Sequence, residues 1–426
     1  MHDDIQGEPK LKTHHQNPPA KPEATESFHT PEEIAAHDDG ITIDMANEDL
    51  APPAAAAPIS SKPKPRKWFN KLWPPSKKQL IITGAAVVVL AGLGIAGWKL
   101  AGTTHQLSST KPATIAKSKT KAPTPKSNTV ASTLTGLQVN PSANQRPITA
   151  VMIENLPPAR PQSGLSQAGV VFEALTEGGI TRFMALFQDQ LPTSVGPVRS
   201  LRPYFIDWAL GFDAPIAHDG GSPQALADVT AWNVKDLDQM YNPGPYVRIS
   251  SRPSPHNLYA SLPALVNLEA SKGWTSSSFT GWPRKPDAPA KTPNATNINF
   301  TLSYSTYNVN YLYNKSTNSY NRSVGGAPQI DANTNKQLSP KVVIGMVIPW
   351  SQGSLDTSNA YYSVYQTIGS GAAYVFQDGT LTIGTWSKPS ANAPIAFTTA
   401  NGQTLKLNAG QTWITAIAAP SDIAYN

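Results

Sequence analysis

The chain has 426 residues, enough for two or three domains, and 34 Lys and Arg against 28 Asp and Glu give a net charge of +6. Cysteine is absent, which excludes disulfides, a thiolate metal site, a cysteine nucleophile and a lipid-modified cysteine. Charge is unevenly spread: residues 1–50 carry twelve Asp and Glu against three Lys, and residues 62–78 carry seven Lys and Arg. That basic block borders an apolar segment, which marks a membrane flank rather than a nucleic-acid face.

Residues 1–79 are dominated by Pro, Ala, Lys, Asp and Glu without strong apolar periodicity and read as a disordered tail. Leu80–Trp98, LIITGAAVVVLAGLGIAGW, is uncharged. At helical rise it just spans a hydrocarbon core of about 30 Å. It lies too far from the N-terminus for a cleaved leader, so residues 80–100 read as a retained signal anchor, a single transmembrane helix. The basic excess before it puts the tail in the cytoplasm and the rest of the chain outside the cell membrane. Residues 101–136, rich in Ser, Thr, Lys, Pro and Ala, read as a flexible stalk.

The globular ectodomain is expected over 137–290, an α/β half, and 291–426, a β-rich half. Ile148–Ile153, Val170–Thr176 and Thr181–Phe187 read as strands, the last two joined at Gly178-Gly179. Pro203–Phe212, Ser222 through Trp232 and His256–Ser271 read as helices, with Ala214–Ala217 a short strand between the first two. In the second half, Asn308–Asn314 with Asn318–Val324 reads as a hairpin, and Lys341–Trp350 as a buried strand. Asp378-Gly379 and Asn401-Gly402 are hairpin turns, the latter between Ile395–Thr399 and Thr404–Leu407, and Gln411–Ala418 is a final strand. The fold class is α/β (α+β), a layered, mixed-sheet domain.

Ionisable residues of the stretch 146–223 gather at loops. A two-residue Gly178-Gly179 turn sets Glu173, Glu177 and Arg182 on one face, as an acid/base pair beside a cation or as a structural ion cluster. Arg199 and Arg202 stand at a helix start, where a cation is disfavoured, so an anion is expected between them: a ligand, or the protein's own Glu154, Glu173 or Asp207. His218, before Gly220-Gly221, is a candidate acid/base or a structural histidine, and Ser222 is a helix cap rather than a nucleophile. Arg160 and Gln162 form a polar binding loop or a rigid crossover. Only His218 and His256 follow the stalk, so no multi-histidine metal site is expected; no metal, cofactor, phosphate loop or dinucleotide motif is indicated.

MIENLPPARPQSGL, EGGITRF, GPVRSLRPY and HDGGSP, followed by VFQDGTLTIGTW and NGQTLKLNAGQTWI, resemble in order the two halves of the YerB-like family of bacterial envelope domains, over roughly Arg146–Ala418. The resemblance implies a membrane-anchored extracytoplasmic protein with an α/β fold in which both halves form one unit. Many members resemble lipoproteins; with no cysteine here, the helix at Leu80–Trp98 must replace the lipid anchor. It implies no activity, and Glu154, Arg160, Glu173, Glu177, Arg182, Arg199, Arg202 and His218 match its polar motif positions. The expected function is binding of an anionic ligand such as a cell-wall polymer. The alternatives are a hydrolase or transferase acting on that polymer, using Glu173 or Glu177 with His218, and a protein-interaction scaffold.

Overall fold

Apolar side chains fall on both faces of the long strands, so the sheet they form must be covered on both sides. The computed structural model of the chain describes residues 128–357 and 359–426. In chain order the first half supplies β1 (Thr149–Glu154), β2 (Val170–Leu175), β3 (Thr181–Phe187), α1 (Pro203–Leu210), β4 (Ile216–His218), α2 (Pro223–Ala231), β5 (Asp236–Asp238) and α3 (Leu262–Ser271). The second half opens with β6 (Asn297–Phe300), β7 (Val309–Asn314), β8 (Ser319–Val324), β9 (Ala327–Pro328) and β10 (Val342–Val347). It continues with β11 (Trp350–Leu355), β12 (Tyr361–Tyr365), β13 (Gly369–Gln377), β14 (Thr380–Lys388), β15 (Ala396–Thr399), β16 (Thr412–Ile417) and β17 (Ile423–Tyr425).

Ten strands form one mixed sheet in the order β15-β14-β13-β10-β16-β2-β3-β1-β4-β5. β16 is parallel to both neighbours, β10 from its own half and β2 from the other, so strands of the two halves share one sheet. One face carries Val170, Phe172, Met184, Ile344 and Ile414 and is covered by α1, whose Trp208 stacks on Phe172 with centroids 5.1 Å apart. The other face carries Val171, Phe183, Ala185 and Trp413 and packs on α3 and a five-stranded sheet ordered β9-β8-β7-β6-β17. The result is a β-rich, layered α+β architecture. Local signals hold where turn chemistry is explicit: Asp378 and Gly379 take φ of 60° and 76°, the left-handed pair that a tight β13–β14 hairpin requires.

Four expectations are corrected. The expected stalk runs too far: Val130–Ala131 pairs with Gln138–Val139, and Leu134 is fully buried in the core. Ser132 and Thr135 bind the Asp189 carboxylate and Thr133 binds Gln188, so a polar sequence belongs to the folded body. The helix expected from His256 begins only at Leu262, because Leu258–Ala260 pairs with Tyr246–Arg248 as a strand. The hairpin at Asn401-Gly402 forms but is shorter than expected: Thr398 bridges Thr404 and the Leu405 N–H donates to the Phe397 carbonyl, after which Leu407–Asn408 leaves to run parallel to Arg284–Lys285. The β2–β3 turn is longer than two residues: Leu175 pairs with Thr181 and Ala174 with Arg182, which puts Glu173 on the face opposite Arg182. The span expected at Leu80–Trp98 lies outside the described residues, among which no helix is long and apolar enough to cross a membrane.

Two buried charges make the fold testable. Glu173 and Arg322 are both fully buried and paired at 2.6 Å. Removing one partner leaves an uncompensated buried charge, so Glu173→Leu alone is expected to lower unfolding free energy by about 3–5 kcal/mol. Glu173→Leu with Arg322→Met is expected to cost much less than the two single changes added, as a chemical-denaturation double-mutant cycle will read. Glu269 on α3 is also fully buried; one carboxylate oxygen accepts from the Thr149 hydroxyl at 2.7 Å and the other has no partner among the described residues. Burial pushes its pKa from 4.5 up to about 7. The folded state therefore holds the proton more tightly, and stability is full below pH 4.5, falls as pH rises to about 7, and stays low above. Glu269→Gln is expected to flatten that slope and to gain on the order of 3 kcal/mol over the parent above pH 7 in denaturation curves collected across this range.

Candidate functional site

β1 ends on Glu154, which lies opposite Arg182 near the start of β3. Beside them runs the segment that precedes α1: Val198 bridges Ile153, and the Arg199 N–H donates to the Met152 carbonyl at 3.0 Å. This brings Arg199 and Ser200 against Glu154 and Arg182. Glu177 projects from the β2–β3 turn, and Arg202 occupies the cap position of α1, where Pro203 sets the helix start. Together with Asn155 and with Asp356 and Ala360 from the tip of the β11–β12 hairpin, these residues line a cavity of about 230 Å³.

The three guanidinium groups are neutralised to different degrees. The Arg202 Nε is bonded to Glu177, and its Nη1 donates to the Leu201 carbonyl at 2.6 Å. Burial alone would raise the Glu177 pKa, but the Arg202 hydrogen bond and the charges of Arg202 and Arg182 outweigh it and hold the carboxyl below its ordinary range. Arg199 Nε lies 3.4 Å from Glu154 Oε1 at an angle that makes no hydrogen bond, so among the described residues this buried N–H has no acceptor. Glu154 is instead engaged by His256, whose Nδ1 is 3.0 Å from both carboxylate oxygens. Arg182 is 6% exposed and donates to the Ser200 carbonyl at 2.7 Å, and among the described residues it makes no ion pair. Burial and the like charge of Arg202 push it down to about 9, which still leaves it protonated at neutral pH.

Glu154, Glu177, Arg182, Arg199 and Arg202 therefore converge, and the other expected residues lie elsewhere. Glu173 is in the core, bound by Arg322 and by the Trp413 indole N–H at 3.1 Å. His218 is fully buried, with Nε2 2.9 Å from Asp236 Oδ1 and Nδ1 2.8 Å from the Gly220 carbonyl, so neither nitrogen is offered to a ligand. Arg160 braces its loop through the Asn155 and Thr306 carbonyls, and Gln162 donates to the Glu154 carbonyl and to Asn155 Oδ1. Ser222 caps α2, its hydroxyl accepting from the Ala225 N–H. Sequence reasoning missed Asn155, His256, Asp356 and Ala360. His256 sits in an irregular loop, and the hairpin residues WSQGSL and YYSVY carry no consistent apolar alternation. Among the described residues no group of three or more His, Asp or Glu could hold a metal ion.

Two grooves adjoin the cavity, one on each side of the hairpin. One, of about 650 Å³, shares Arg202 and Asp356 with it and runs past the first turns of α1 and α2. The other, of about 560 Å³, shares Gly178 and Ala360 and is bounded by Tyr304, Trp350 and Tyr361.

Comparison with known proteins agrees with this architecture. Residues 134–275 match the N-terminal domain, and residues 298–414 the C-terminal domain, of a family described as a protein of unknown function, DUF3048. A Bacillus subtilis (strain 168) protein, YerB, described as a candidate lipoprotein, is 33% identical over 289 residues, covering 66% of this chain and 84% of its own length. The crystal structure of Bacillus subtilis YerB superposes with a TM-score of 0.62 at 29% identity, covering 70% of this chain and 99% of that one. The chain belongs to the YerB-like, DUF3048 family, whose two domains account for both halves of the folded body.

Proposed function

We propose that the chain is a single-pass bacterial envelope protein whose folded part, outside the membrane, binds the anionic group of a ligand such as a cell-wall polymer in the Arg182–Arg199–Arg202 cavity. The observation that carries this reading is incomplete neutralisation: among the described residues Arg199 Nε has only an oblique contact with Glu154 and no hydrogen-bond acceptor, and Arg182 makes no ion pair. Buried charges are nearly always compensated, and both side chains line the cavity, so an anion held there would complete their neutralisation. The description of YerB as a candidate lipoprotein supports an envelope location. A hydrolase or transferase reading is weaker, because Glu177 is held ionised by Arg202, whereas a general acid needs a raised pKa.

Arg182→Gln and Arg199→Gln in the full-length chain are each expected to weaken binding of inorganic phosphate and of purified wall polymer by about tenfold or more, with binding falling further as salt rises. Titration calorimetry reads the first and co-sedimentation the second. Unchanged binding in the double variant overturns the reading. Arg202 is a poorer target, since its loss also strands Glu177.

A further inference from the structure

We propose that the groove bounded by Tyr304, Trp350 and Tyr361 is a saccharide-binding subsite. Three large aromatic side chains border it while remaining 65%, 37% and 50% exposed, respectively. Large aromatics left exposed around a concavity are unusual unless something covers them. The Tyr304 ring lies against Gly179, where a Cβ would come within 3.1 Å of its Cε2. The loop backbone thus forms the floor beneath the ring.

The rest of the lining names the ligand class. Among the described residues it contains no charged side chain; its polar groups are the amides of Gln352 and Asn359 and the hydroxyls of Thr176, Ser303 and Ser363, which each donate to a backbone carbonyl and are left as acceptors. A pyranose ring has a face of C–H groups that lies against an aromatic face, and a rim of hydroxyls that suits neutral amides and hydroxyls. An acyl chain would leave those amides without partners, and an ionic ligand would find no counter-charge. The volume of about 560 Å³ is within the range of small-ligand sites.

The subsite also abuts the arginine cavity. Gly178 and Ala360 line both spaces, and a Cβ at Gly178 would lie 3.7 Å from that of Ala360. An acidic sugar can therefore lay its ring on the tyrosines and reach Arg182 with its charge. That extension rests on the anion-binding reading, whereas neutral-sugar binding does not.

The test is calorimetry and saturation-transfer NMR on the full-length chain with chitotetraose, hyaluronan tetrasaccharide, maltotetraose and inorganic phosphate as probes. At least one oligosaccharide is expected to bind. Tyr304→Ala and Tyr361→Ala should each weaken it about tenfold, the size of one lost ring contact, and Tyr→Phe at either position should restore it. Phosphate affinity should be unmoved by these changes. Arg182→Gln should weaken phosphate and hyaluronan binding and spare chitotetraose. Gln352→Ala, outside the aromatic set, gives a second variant should either tyrosine change impair folding. Failure of all three oligosaccharides to bind, or binding indifferent to Tyr304, Tyr361 and Gln352, overturns the proposal. Saccharide binding with no phosphate binding would instead remove the arginine-cavity reading and leave this one standing.

Discussion

The Glu173–Arg322 pair is the constraint on which the layering depends. Glu173 is on β2 of the ten-stranded sheet and Arg322 on β8 of the five-stranded sheet, and neither side chain touches solvent. The guanidinium carbon lies 4.3 Å from the Trp413 ring centroid and within 5.6 Å of the Phe183 and Tyr311 rings, so aromatic faces surround it where the carboxylate does not. Taking two charges out of water gains little net stability even when they meet. Its effect is positional: any slide of one layer over the other separates opposite charges in an apolar surrounding. Among the described residues Glu173 Oε1 and Arg322 Nη1 still lack partners, which marks the pair as a specifier of register more than a source of stability.

Three other arginines, those of the cavity, form a gradient away from that core. Arg322 is compensated by a carboxylate and three rings, Arg202 by Glu177 and the Tyr362 ring at 5.7 Å, Arg199 by an oblique contact, and Arg182 by a carbonyl. Compensation weakens toward the ends of β1 and β3, where the strands stop and the hairpin tip arrives. Of these four, Arg199 and Arg182 are the least compensated, and both line the cavity.

Much of this was legible from local chemistry. Pro203 and Ser222-Pro223 start their helices, and Asp378-Gly379 turns its hairpin, because each depends on backbone preferences within a few residues. The loop-borne charges Glu154, Glu177, Arg182, Arg199 and Arg202 stood out for the same reason. The β2–β3 register did not, because Gly178 and Gly179 both adopt positive φ within a single helical turn from Glu177 and so lengthen the connection. One residue of slip moves Glu173 from the site to the core. His256 reaches Glu154 only through the pairing of Leu258–Ala260 with Tyr246–Arg248, a tertiary fact with no local signature. Leu134 likewise sits among Ser and Thr whose partners, Gln188 and Asp189, are far along the chain.

The position of β16 sets the order in which the molecule can be made. Thr412 pairs with Val170, more than 200 residues earlier, and this late strand fills the middle of the sheet, between β10 and β2. Until it arrives, β2 presents an open apolar edge, and the first half cannot settle as it leaves the ribosome. Assembly of the sheet must wait until residue 412 has been made, and so distant a pairing is slow to find. A chain broken off before residue 412 would keep both family halves nearly entire in sequence and still leave the central sheet in two pieces. Such a product is exposed to aggregation and degradation, and its handling falls to whatever chaperones attend the chain during synthesis.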